Sequence, residues 1–186
     1  MRRPSGLVFA LAAPAALLAP AHAYGVEYQT ADQAQRALFP EADAFEEKLV
    51  AVDAGLRATL EARLGGPLRA ERWRVRVARR QGAAVGVVVV DDVIGKFDWI
   101  TYAAALGADG AVRGVEILAY RESHGGEVRL PRWRKQFQGK TAAAPLRVGE
   151  DIANISGATL SAQHVTDGVR RIVVTVAALR QAGALP

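Results

Sequence analysis

Residues 98–120 read DWITYAAALGADGAVRGVEILAY. Two runs rich in β-branched and aromatic residues, Asp98 to Leu106 and Val112 to Tyr120, flank Gly107-Ala108-Asp109-Gly110. An Asp-Gly pair between two such runs is a strong hairpin signal, because both residues accept the positive φ of a tight turn. The hairpin fixes the middle of the chain as antiparallel sheet. Upstream of it, Val85 to Val90 is a near-continuous β-branched run, which predicts a strand buried on both faces. Before that, Trp73, Val75 and Val77 alternate with Arg72, Arg74 and Arg76, giving a strand with one basic face. Further toward the N-terminus, Phe45, Leu49, Val52, Leu56, Leu60 and Leu64 recur at helical spacing. They predict a single helix from Asp43 to about Leu64, ended by Gly65-Gly66-Pro67. Ala31 to Phe39 predicts a shorter helix that stops at Pro40, and Tyr24 to Thr30 is a short lead-in. Downstream of the hairpin, Pro131 opens a short helix to Phe137, and Gly139 to Glu150 reads as a loop with an extended piece at Leu146-Arg147-Val148. Val165, Val169, Ile172, Val173 and Val176 then mark one face of a last helix from about Leu160 to Gln181. Helices, then antiparallel strands, then a helix make an α+β fold: an antiparallel sheet with N-terminal helices and a C-terminal helix.

The first 23 residues are set apart from that fold. Met1-Arg2-Arg3 is a charged start, residues 6–19 are apolar, and Ala21-His22-Ala23 offers an A-x-A cleavage site. This is the pattern of a secretory signal peptide, too short for a comfortable bilayer span. The expected organisation is a signal peptide over 1–23 and one domain over 24–186, with a helical extension at its N-terminus. Arg2-Arg3 leaves the choice between Sec and twin-arginine export open.

Composition excludes several chemistries. With no cysteine there is no disulfide, iron–sulfur cluster, thiolate zinc site or cysteine nucleophile. Beyond the leader only His124 and His164 remain, and their spacing forms no metal-ligand cluster. Without Arg2 and Arg3 the net charge falls from +5 to +3, too mild to point to nucleic acid. There is no G-x-G-x-x-G loop, Walker loop or G-x-S-x-G elbow.

The richest segment is Asn154-Ile155-Ser156-Gly157-Ala158-Thr159-Leu160-Ser161. Three hydroxyls fall within six residues, at the start of the last helix, and Gly157 and Ala158 leave the backbone open to close approach. An ordinary Ser/Thr N-cap accounts for such a pattern. So does a phosphate, which the free N–H groups and dipole of a helix N-terminus favour.

Ile155 to Ser161 resembles the flavinylation motif of exported FMN-binding domains. These include the flavin subunits of sodium-pumping NADH:quinone reductase and of the Rnf complex, and related domains in nitrous-oxide-reduction regulators. Two further segments carry the resemblance. Tyr120 to Glu127 is similar to that family's E-T-P-G-x-G loop, and Trp133 to Lys140 to its W…Q-F-x-G-K segment. The likeness spans roughly Val85 to Leu179, with the three motifs in the family's order.

The resemblance implies that a flavin transferase moves FMN from FAD onto Thr159 as a phosphoester, with Ser161 as the fallback acceptor. Ser156, Gly157 and Ala158 would frame the attachment, and Glu122, Ser123, Trp133 and Lys140 would border the cofactor. For His124 two readings stand: a contact with the isoalloxazine edge, or an exposed loop histidine. It further implies an extracytoplasmic electron carrier, not an enzyme in its own right, working with a membrane-bound redox partner in the periplasm. The alternative within the same resemblance is a flavin-dependent regulatory or accessory subunit of a membrane reductase.

Overall fold

A computed structural model describes residues 26–68, 70–122 and 124–186. The signal peptide expected over 1–23 lies outside them. The order of elements is β1 (Val26–Glu27), α1 (Ala31–Leu38), β2 (Ala44–Ala51), α2 (Ala54–Leu64), β3 (Arg72–Arg80), β4 (Ala83–Ile94), β5 (Trp99–Gly107), β6 (Val112–Tyr120), α3 (Pro131–Arg134) and α4 (Thr159–Gln181). Short 3₁₀ turns at Gly126–Arg129 and Lys135–Phe137 flank α3.

The strands form one sheet in the order β1-β6-β5-β4-β3-β2, antiparallel throughout. β3 to β6 are a meander, so each strand pairs with its sequence neighbour. The hairpin at Gly107–Gly110 closes as its sequence predicts. Asp109 Oδ1 accepts from the Ala111 N–H at 3.0 Å, and Gly110 takes φ +81°.

α4 lies along one face. Its Val165, Val169, Ile172, Val173 and Val176 pack with Val75, Val77, Val87, Val89, Ile100, Tyr102, Ala104 and Ile117 into the main core. α1 covers part of the other face, where Ala34 and Phe39 pack with Ala78, Val88, Ala103, Ala105 and Leu118. Successive β4 residues alternate between the two clusters, Val87 and Val89 in one and Val88 in the other. That is why the valine run shows no polar positions: both faces are out of water.

One prediction is corrected. The helix expected over Asp43 to Leu64 is two elements. Ala44–Ala51 pairs residue by residue with β3, from Ala44 opposite Arg79 to Ala51 opposite Arg72. Only from Ala54 is the chain helical, and Asp53 caps it by accepting from the Leu56 N–H at 2.8 Å. Residues 45 and 49 are four apart, a spacing that puts both on one face of a helix and equally on one face of a strand. The exposed edge of β3 decided between them by supplying a row of hydrogen-bonding partners. The segment before β3 is therefore not merely a helical extension, because it supplies β1 and β2, the two edge strands of the sheet.

Candidate functional site

At one end of the sheet the β4–β5 turn, the segment after β6 and the start of α4 converge. α4 begins without a side-chain cap. Ala158 holds the N-cap position, and the first intrahelical bond runs from the Ala162 N–H to the Ala158 carbonyl at 3.0 Å. The N–H groups of Thr159, Leu160 and Ser161 precede that bond and have no intrahelical acceptor. The Ser/Thr capping reading of this segment is thus not what the fold adopts.

The three hydroxyls have different fates. Thr159 is exposed, and its Oγ1 accepts from Asn154 Nδ2 at 3.1 Å. Ser156 is exposed on the approach loop. Ser161 is 3% exposed, with its hydroxyl 3.2 Å from that of Tyr120. The Tyr120 hydroxyl also donates to the His124 carbonyl. Burial pushes the Tyr120 hydroxyl above its ordinary value, against the Ser161 hydrogen bond, which lowers it.

A cleft of about 370 Å³ opens on this helix start, lined by Lys96, Phe97, Glu122 and His124 on one side and by Gly157 to Ser161 on the other. Its size is in the range of small-molecule sites. Phe97 and Leu160 bring large apolar surfaces to it while remaining exposed. Gly125, at φ +89°, is what lets the two walls meet. A Cβ there would stand 2.6 Å from both the Ala158 Cβ and the Tyr120 hydroxyl.

Glu122 does not point free into the cleft. Its Oε1 accepts from the backbone N–H groups of Phe97 and Asp98, so it shapes the β4–β5 turn. From the other side, His164 Nδ1 lies 2.6 Å from the Ile94 carbonyl, and as the N–H donor it holds the same turn. Ser123 lies outside the described residues.

Trp133 is buried and edge-on to Phe137, with ring centroids 5.2 Å apart. Its indole N–H donates to the Ala153 carbonyl at 2.8 Å, and Gln136 Oε1 accepts from the Ala153 N–H at 2.8 Å. Trp133 and Gln136 therefore grip both polar groups of one residue just ahead of the hydroxyl segment. Trp133 also lines a second cavity, of about 470 Å³, shared with Asn154, Ile155 and Ser156. Lys140 is not among the residues lining either cavity. It pairs with Asp151 at 2.8 Å and ties the base of the loop between them. Burial raises the Asp151 carboxyl, but the Lys140 hydrogen bond and the Arg147 and Leu146 N–H groups outweigh it and hold it below the ordinary range.

Sequence reasoning did not single out Lys96 and Phe97. Their signal is an aromatic beside a lysine in a turn, which becomes informative only once the turn is seen to face Thr159.

Fold and cleft define the class: a small α+β domain whose candidate ligand site is the uncapped N-terminus of α4. Residues 95–174 match the family model of the FMN-binding domain. The match begins at the β4–β5 turn and contains every cleft residue named above. Two solved structures share the fold. One is NqrC of Shewanella oneidensis, which is 18% identical over 80% of this chain and 88% of that one, with a TM-score of 0.55. The other is a component of the Na(+)-translocating NADH-quinone reductase of Parabacteroides distasonis, 15% identical over 82% and 83%, with a TM-score of 0.50. A search of curated proteins gives no significant match.

The residues present fit FMN. The N–H groups of the first turn of α4, which have no intrahelical acceptor, suit a phosphate, and the exposed Thr159 hydroxyl stands at the same point. Phe97 and Leu160 offer apolar surface of the kind that a flat ring system covers, with Lys96 beside them.

Proposed function

We propose that the protein is an extracytoplasmic electron carrier that holds FMN covalently through the Thr159 hydroxyl. The observation that carries this reading is the exposed Thr159 at the uncapped start of α4, inside the cleft, with Ser161 buried behind it. Thr159 Oγ1 would form the phosphoester as a flavin transferase cleaves the FAD pyrophosphate and AMP leaves. The first-turn N–H groups would then hold the phosphate, and Asn154 Nδ2 would orient the ester oxygen. Bound FMN supplies the redox chemistry, and the protein supplies position and electrostatics. Glu122 and His164 fix the turn that presents Phe97 and Lys96, while Trp133 and Gln136 fix the loop that presents Ser156 to Ala158. A covalent link suits the periplasm, where a dissociated flavin would be lost. A membrane-bound redox donor and a separate acceptor complete the relay.

Co-expression with a flavin transferase tests this directly. The purified chain should stay yellow and fluorescent on a denaturing gel, and peptide mapping should place the added mass on Thr159. Thr159→Ala should remove the signal. A chain that stays colourless under these conditions, or that carries its flavin on another residue, would refute the assignment.

A further inference from the structure

Among the described residues, six large hydrophobic side chains are exposed: Val26, Leu49, Ile94, Phe97, Trp99 and Leu160. Five of them collect at one end of the sheet. Ile94 and Trp99 face each other across the β4–β5 turn, and Phe97 stands at its tip, 76% exposed. Leu160 shares the cleft with Phe97. Val26 is paired to Tyr120, which is paired in turn to Ile100, next to Trp99. Only Leu49 lies elsewhere, on the far edge strand.

We propose that this end of the molecule docks on a lipid bilayer, with Phe97, Trp99 and Ile94 entering the headgroup boundary beside the Thr159 cleft. Three observations favour lipid over a protein partner. The chain enters the fold at this same end, since β1 starts at Val26. The apolar run of residues 6–19 precedes it by a link, residues 20–25, that spans at most about 25 Å. Until a leader over 1–23 is cleaved, this end of the fold is therefore held near the membrane.

Second, the turn combines Trp, Phe and Ile with Lys96, whose ammonium sits 4.8 Å from the Phe97 ring centroid. Aromatic rings with a polar or cationic rim favour the bilayer interface. Third, the two carboxylates at the turn are engaged by its backbone. Asp98 Oδ1 accepts from the Trp99 N–H at 2.7 Å and Glu122 Oε1 from the Phe97 and Asp98 N–H groups. Docking is thus driven by insertion and not by net charge. It would bring a cofactor at Thr159 to within reach of carriers dissolved in, or embedded in, the membrane.

The test uses the chain from Tyr24 onward, which keeps every described element. Trp73 and Trp133 are buried and Trp99 is 53% exposed, so tryptophan quenching by brominated acyl chains reports on Trp99. Vesicles of phosphatidylcholine brominated near the headgroup should quench more strongly than vesicles brominated near the chain ends. The double variant Ile94→Ser/Phe97→Ser should lower the vesicle-bound fraction about tenfold or more, as expected for losing two inserted apolar side chains. Leu49→Ser should leave it unchanged, and raising the salt should change it little. No quenching and no vesicle binding by the unsubstituted chain would overturn the proposal and leave the patch to a protein partner. Binding that needs anionic lipid and disappears in salt, or that falls equally in Leu49→Ser, would overturn it as well. The measurement needs no flavin, so its outcome is independent of whether Thr159 is flavinylated.

Discussion

The two ends of α4 are finished in opposite ways. At the C-terminal end the chain closes on itself. The Gly183 N–H donates to the Arg180 carbonyl and the Ala184 N–H to the Leu179 carbonyl, and Leu185 is buried beneath. Arg180 reaches the Pro186 carbonyl at 2.7 Å and the Gly107 carbonyl at 3.0 Å, stitching the helix to the hairpin turn. At the N-terminal end no side chain caps the helix, the first-turn N–H groups lack intrahelical acceptors, and Thr159 and Leu160 are exposed. A buried end in that state would be costly. An open end in that state is a place for something else to bind. The contrast within one helix separates what the fold needs from what it leaves for a ligand.

The largest expected effect comes from disturbing the open end at Gly125. A Gly125→Val side chain would collide with Ala158 and the Tyr120 hydroxyl and would place a β-branched residue at φ +89°. Strain and overpacking together cost on the order of 3 kcal/mol. For a domain of this size that is a fall in melting temperature of roughly 6–12 °C, measurable by calorimetry. Flavin loading should fall with it, because the collision pushes on the segment that carries Thr159. Normal loading in a destabilised Gly125→Val chain would show that the cleft tolerates a wider gap than its walls suggest.

A smaller effect should come from the loop behind the site. Asp151 accepts from Lys140 Nζ at 2.8 Å and from the Arg147 N–H at 2.9 Å. Asp151→Asn should destabilise by about 1.5–2 kcal/mol, the lower part of the range for a hydrogen bond to a charged group. Burial raises this carboxyl, but Lys140 and the backbone donors prevail and hold it below its ordinary 3.8. A carboxyl depressed by folding contributes stability that is complete above about pH 4 and is lost as the pH falls through its lowered value. Denaturant titrations across the acid range should therefore show a steeper loss for the natural chain than for Asp151→Asn. Parallel curves would remove Asp151 from the acid response.

At the closed end, Arg180→Ala removes the stitch to Gly107 and Pro186. Arg180 is partly exposed and its carbonyl partners can turn to water, so the expected cost is about 1 kcal/mol. Flavin loading should be untouched. If loading changed as well, the two ends of the helix would not be independent.

What the sequence made legible divides along similar lines. The hairpin, the buried valine strand and α4 declared themselves by turn chemistry and by periods of two and 3.6, because local pattern and tertiary packing agree there. Residues 44–51 did not, since their pattern suits helix and strand alike and the free edge of β3 settled the matter. In the candidate site, the motif singles out Thr159, Ser156, Gly157 and Ala158. The structure brings Gly157, Ala158 and Thr159 into one cleft with Glu122, and leaves Ser156 on the loop that leads into it. Positions that depend on three-dimensional detail were not readable. Glu122 shapes the neighbouring turn, Trp133 holds the Ala153 carbonyl, and Lys140 pairs with Asp151 away from both cavities. Lys96 and Phe97 became visible only when the β4–β5 turn closed over Thr159.

The smallest effect should come from Ser161→Ala, and it sharpens the contrast between the two hydroxyls of the open end. Ser161 is buried with its hydroxyl on Tyr120, whereas Thr159 is exposed. Removing the Ser161 oxygen deprives Tyr120 of one partner but leaves it the His124 carbonyl as acceptor. No buried donor is orphaned, so the cost should stay under about 1 kcal/mol. Alanine is also the better helix former, which offsets part of that cost. A transferase acting on the surface would reach Thr159 without disturbing the helix, but would reach Ser161 only if the first turn of α4 opened. Ser161→Ala should therefore carry as much gel-stable flavin as the natural chain, with Thr159→Ala carrying none. The reverse pattern would mean that the first turn unwinds for the transferase, and the acceptor would then be the hydroxyl that the folded helix keeps inside.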